Sequence, residues 1–185
     1  MNANIFIEFQ KGLLSDEEML ELQKSTESIC PIGFQPKDTH VLAAFEDIIS
    51  AVTVYITPDF WTQLYAGLAT NVISSGIIFA ITQIKKAIQK KRVYKVTADG
   101  ADEKIPTIGI RTHHVNIILP TDISDDKFEY CVDRAFESVQ DSKQLILKEE
   151  TITFFDKEID SMVTYSIKEY YNKNVEPHYP NPNDK

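Results

Sequence analysis

Four histidines, two cysteines and a scatter of carboxylates are the residues of this chain whose types could do chemistry. His113 and His114 are neighbours in an extended apolar run, so their rings point to opposite faces of a strand and cannot readily share one metal. His40 stands at a helix start and His178 in a Pro- and Asn-rich end, and neither has a partner at ligand spacing. Cys30 precedes Pro31, Cys131 falls in a helical pattern, and no CxxC occurs. A disulfide framework is therefore not expected, and a reducing cytoplasm suits the chain. Asp122, Asp125 and Asp126 open a helix, where the macrodipole favours acids, while Asp99, Asp102 and Glu103 read as a solvated turn. Asp141-x-Lys143 matches half of a metal-dependent nuclease site, but at a helix end rather than on adjacent strands. No phosphate loop, dinucleotide-binding glycine fingerprint, HExxH or GxSxG is present. The residues thus predict no catalytic group, no cofactor and no metal ligand. The enzyme-class alternative is a small metal-dependent hydrolase using scattered acids.

Charge is the stronger signal. The formal net charge of this 185-residue chain is -9, and a generic nucleic-acid binder is more often basic, so no nucleic acid is expected. Yet six cations crowd one short stretch: Lys85, Lys86, Lys90, Lys91, Arg92 and Lys95. Taking those six away from -9 leaves -15 on the remainder. A helix C-terminus accommodates one or two such charges through its dipole. The rest predict a contact site for a protein with an acidic surface.

The elements that must position these residues follow from pattern. Ile5, Ile7 and Phe9 alternate as in a strand, and Ser15 with Glu18 forms a capping box for a helix reaching about residue 29. Residues 30–39, with Pro31, Gly33 and Pro36, read as a loop before a short helix at 41–49. Residues 51–57, 93–98, 104–110 and 113–119 read as strands. Phe128, Val132, Ala135, Phe136 and Val139 make an amphipathic helix. Residues 145–155 and 161–170 read as a hairpin, with Tyr165, Tyr170 and Tyr171 as sheet packing and a surface patch as the alternative. The sum is one α+β domain over residues 1–171: a mixed or antiparallel sheet, a long apolar central helix and two or three further helices. Residues 172–185 read as a disordered tail.

The central helix is predicted over 59–91, because residues 60–84 carry no charge at all. At 1.5 Å per residue it would span roughly 48 Å. A compact chain of this size measures roughly 40 Å across. The basic end should therefore overrun the body, unless the helix bends at Gly76. Ala66, Thr70 and Ser74 share one line along it and Gly67 and Ser75 the next, small residues that let a second backbone approach. A buried helix is the leading reading. A helix in or on a membrane is the alternative, with the basic run as its cytoplasmic flank.

The run VTVYITPDFW, the small-residue-rich apolar helix and KKAIQKKRVYKVTADG together resemble the effector-associated constant components of bacterial conflict systems. The resemblance covers residues 51–100 and implies a non-enzymatic accessory domain that partners an effector. Acidic cytosolic immunity proteins are a second comparison, on charge and size. The expected function is a protein-interaction module that docks on a partner, or on itself, through the long helix and its basic end.

Overall fold

The computed structural model describes residues 5–28, 31–37, 51–57, 71–97, 100–111, 115–144 and 151–175. The predicted helix at 41–49, all four histidines, Cys30, Ala66, Gly67 and Thr70 lie outside these residues.

β1 (Ile5–Gln10) buries Ile5, Ile7 and Phe9 and turns Phe6 and Glu8 to the opposite face, the period-2 signature of a strand. Ser15 caps α1 (Asp16–Thr26). Its Oγ accepts from the Glu18 backbone N–H at 3.2 Å, and Glu18 Oε2 accepts from the Ser15 N–H at 2.8 Å. The chain then returns as β2 (Ile32–Lys37), parallel to β1. This corrects the predicted loop: Pro36 has no N–H to give, but β2 is the outermost strand and tolerates it.

The remaining strands are β3 (Val52–Ile56), β4 (Val93–Thr97), β5 (Gly100–Lys104), β6 (Thr107–Arg111), β7 (Val115–Pro120), β8 (Thr151–Asp156) and β9 (Ser161–Ser166). The helices are α2 (Asn71–Ile88), α3 (Asp125–Gln144) and α4 (Ile167–Tyr170), the last continuing into a π-helical turn, Tyr171–Val175. Among the described residues, seven strands form one mixed sheet in the order β2-β1-β3-β6-β7-β8-β9, and β4 and β5 pair only with each other. The α+β class with a mixed sheet is as expected. Some details differ. Asp102 and Glu103 lie in strand β5 rather than in a turn; Lys104 ends β5 instead of opening the strand predicted over 104–110; the chain after Ser166 is helical in place of a continuous strand to 170; and Asn172–Val175, the first residues of the predicted disordered tail, belong to the π-helical turn.

Helices α1, α2 and α3 lie side by side on one face of the sheet, with α2 in the middle. From the centre, β1-α1-β2 steps one way across the sheet and β7-α3-β8 the other, with parallel strands in both. With their helices on one face, the two units have opposite hand, so one departs from the usual right-handed crossover.

The described part of α2 is 18 residues, about 27 Å, and runs through Gly76 without a break. Its buried stripe is Ile77, Ala80, Ile81, Ile84 and Ile88. Each isoleucine there contributes about 1.5–3 kcal/mol of hydrophobic stabilisation. The expected overrun of the body is not what forms. The helix ends at Ile88 in a turn, with the Gln89 N–H donating to the Lys85 carbonyl at 2.8 Å and the Lys91 N–H to the Ile88 carbonyl at 2.9 Å.

Candidate functional site at the end of helix α2

Counting along the α2 stripe from Ile77, Lys85 falls in step with Ile81, Ile84 and Ile88, so helical geometry carries it inward. It is 1% exposed. Its Nζ donates to the Ile123 carbonyl and to Asp125 Oδ1, both at 2.6 Å, and lies 5.3 Å from the centre of the buried Phe128 ring. A lysine this deep needs such partners, because an unpaired ammonium in an apolar interior is strongly disfavoured. The hydrogen bond from Lys85, reinforced by the charges of Lys85 and Lys86, holds the Asp125 carboxyl below its ordinary value.

Lys91 does the same on the other side. Its Nζ donates to the Leu13 carbonyl and, at 2.6 Å, to Glu18 Oε2. Partial burial works to raise the Glu18 pKa. The hydrogen bonds from Lys91 and Ser15, with the Lys91 charge, outweigh it and lower the net value. The carboxy end of α2 thus sits between the amino ends of α1 and α3, and each neighbour contributes its first-turn acid. Opposed dipole ends and opposite charges meet at both junctions, which is favourable twice over.

The cations that the sequence grouped as one contact site therefore divide. Lys85 and Lys91 are spent inside the molecule, tying three helices together. Arg92 Nε lies 2.7 Å from Glu103 Oε1, joining the helix end to β5. Lys86 is half-exposed and only 3.6 Å from Asp125 Oδ2. Lys90 is exposed and pairs with no carboxylate among the described residues. Lys95 lies in β4, opposite Asp102 in the ladder. Ser74 and Ser75 lie in the first turns of α2.

Pattern reading did not single out the β4–β5 ribbon as a surface. Tyr94, paired with Glu103, is 61% exposed, and Ile105 just beyond β5 is 45% exposed. A large exposed aromatic on a hairpin next to a lysine pair was legible as a surface signal. On the sheet face away from α1–α3, Arg111 stacks 6.0 Å from the Tyr55 ring centre and donates to Asn116 Oδ1 at 3.0 Å. Tyr165 and Tyr170 pack on Phe154, at 5.8 and 5.3 Å between ring centres, as the sheet-packing reading expected, whereas Tyr171, in the π-helical turn, is 43% exposed.

Of the carboxylates, Asp122 pairs with Lys157 at 2.6 Å and Asp125 with Lys85. Among the described residues, no group of three or more His, Cys, Asp or Glu is placed to hold a metal ion, and no helix is long and apolar enough to cross a membrane. No protein-family model, no curated protein and no solved structure matches the chain.

Proposed function

We propose that this chain is a non-enzymatic protein-interaction module that docks an acidic partner where α2 ends and the β4–β5 ribbon begins. The observation that carries the reading is the ribbon itself. Among the described residues it pairs only with itself, it begins at Val93, shortly after the exposed Lys90, and Tyr94 and, just beyond β5, Ile105 face solvent. A lone two-stranded ribbon is marginal in water and gains most from a surface to lie against. An exposed tyrosine close in the chain to the exposed Lys90 supplies the aromatic anchor and positive rim that an acidic protein surface fits.

The resemblance of residues 51–100 to effector-associated constant components supports an accessory role beside an effector in a bacterial conflict system. In this reading residues 60–70 extend α2 at its amino end as a long apolar helix. Ala66, Gly67, Thr70, Ser74 and Ser75 then admit a close neighbouring backbone.

The partner is to be identified by crosslinking in cells of the source organism followed by mass spectrometry. Binding is then measured for Lys86→Glu/Lys90→Glu and for Tyr94→Ala at two salt concentrations. The charge reversal should weaken binding by at least about tenfold and flatten its salt dependence, and Tyr94→Ala should weaken it without changing the salt slope. Unchanged affinity in both variants, with the circular dichroism of the wild type, overturns the reading.

A further inference from the structure

The two edges of the seven-stranded sheet are not alike. β2 carries Pro36 and ends on Lys37, which reaches across to Glu8 of β1 at 2.5 Å. Proline and lysine are the ordinary devices that keep an edge from pairing with another chain. β9, Ser161-Met162-Val163-Thr164-Tyr165-Ser166, has none of them. It contains no charge and no proline, and its six pairs with β8 run unbroken from Ser161 to Ser166, so no bulge twists it away. Among the described residues nothing pairs with its outer side.

The ends of β9 differ in charge. The turn before it holds Asp156, Glu158 and Asp160, against Lys157. The helical turns after it expose Lys168 and Lys173, against Glu169, whose carboxylate accepts from the Ser166 N–H at 3.0 Å; the Lys173 ammonium lies 4.2 Å from the Tyr165 ring centre.

We propose that β9 pairs antiparallel with β9 of a second copy of this chain, so that two seven-stranded sheets become one continuous sheet. A two-fold axis at Val163 keeps each side chain on its own face, because residues of like parity then meet: Ser161 lies opposite Tyr165 of the second copy. The same register brings the Glu158 end of one strand to the Lys168 end of the other, twice over. A parallel pairing would instead set acid against acid. α3 packs on the face of the sheet that carries Met162, and Tyr170 of α4 packs on Phe154, on the opposite face. This surface is separate from the end of α2, and the inference does not depend on the docking site proposed there.

The test is sedimentation of the full chain from micromolar to hundreds of micromolar. The wild type should reach the mass of a dimer. Thr164→Lys, at an exposed position in mid-strand, should weaken the dimer by at least about tenfold. Glu158→Lys and Lys168→Glu, each on a solvent-exposed side chain, should weaken it singly, and the chain carrying both should regain it. Lys90→Glu should leave it unchanged. A wild type that stays monomeric throughout overturns the proposal, and so does a dimer that tolerates Thr164→Lys in a folded chain. If Thr164→Lys unfolds the chain by circular dichroism, the charge pair decides: no weakening by either single reversal, or no recovery in the double, overturns it.

Discussion

The ammonium of Lys85 and the carboxylate of Asp125 meet at 2.6 Å across the boundary between interior and solvent: the lysine is 1% exposed and the aspartate 44%. The two partners therefore answer unequally to substitution. In Asp125→Ala the lysine keeps its burial and loses its counter-charge. In Lys85→Met the aspartate is left facing water, which hydrates it, and the methionine retains the volume.

Asp125→Ala is expected to destabilise the fold more than Lys85→Met does. The methionine variant should lie within about 1.5 kcal/mol of the wild type, as volume-conserving core changes do. Urea midpoints of the two variants check the order. The reverse order would mean that the burial of Lys85 does not govern the pair.

Lys91 and Lys90 are adjacent yet should separate cleanly. Lys91→Ala loses a half-buried bond to Glu18 and one to the Leu13 carbonyl, and should cost about 1 kcal/mol. Lys90→Ala should leave the urea midpoint where it is, within about 0.5 kcal/mol. Equal losses at both positions would contradict the division of the basic cluster.

Thr82 is 2% exposed, on the inner side of α2, and its Oγ1 has no hydrogen-bond partner among the described residues. Thr82→Val keeps the branched shape and removes the unsatisfied oxygen. It should stabilise the protein by about 1 kcal/mol. A lower melting temperature for the valine variant counts against an unsatisfied hydroxyl at this place.

Among the described residues, three acids have lowered pKa values in the folded state. Asp125 is held down first by the Lys85 hydrogen bond and Glu169 first by the Ser166 backbone N–H; at Glu18 burial opposes, and the bonds from Lys91 and Ser15 prevail. A carboxylate that is more acidic folded than unfolded contributes stability that is complete above its unfolded pKa. That contribution is lost as pH falls through the folded value. Stability should thus be flat near neutrality and decline below about pH 4.5. Glu18→Gln should shrink that decline. Urea midpoints between pH 3 and 7 measure it, and an undiminished acid slope in Glu18→Gln would remove Glu18 from the account.

Where the sequence carries its own period, the fold was legible. The alternation of Ile5, Ile7 and Phe9, the Ser15–Glu18 box, the amphipathic α3 and the β8–β9 hairpin stand as their patterns predict. What pattern missed is structure borrowed from a neighbour. β2 has Gly33 and Pro36 and takes its register from β1; β5, reading Gly-Ala-Asp-Glu-Lys, is a strand because β4 lies beside it. Ser166 and Glu169 did carry a capping-box spacing, hidden inside an apparently continuous strand. The basic cluster was read as a run along the chain, whereas helical geometry sorts it by angle. Lys85 belongs to the isoleucine stripe, Lys90 to the surface.

The joining of β3 to β6 at the middle of the sheet also sets an order of events during synthesis. Val52 and Val54 find their partners Ile108 and Ile110 only after α2 and the whole ribbon have been made. At the usual elongation rate the ribosome needs roughly 3–10 s for that stretch. For that interval β3 lacks the β6 partner that it has in the finished sheet. A nascent chain of this protein should be a client for chaperones that shield extended apolar segments, until Arg111 has cleared the exit tunnel and the centre can close.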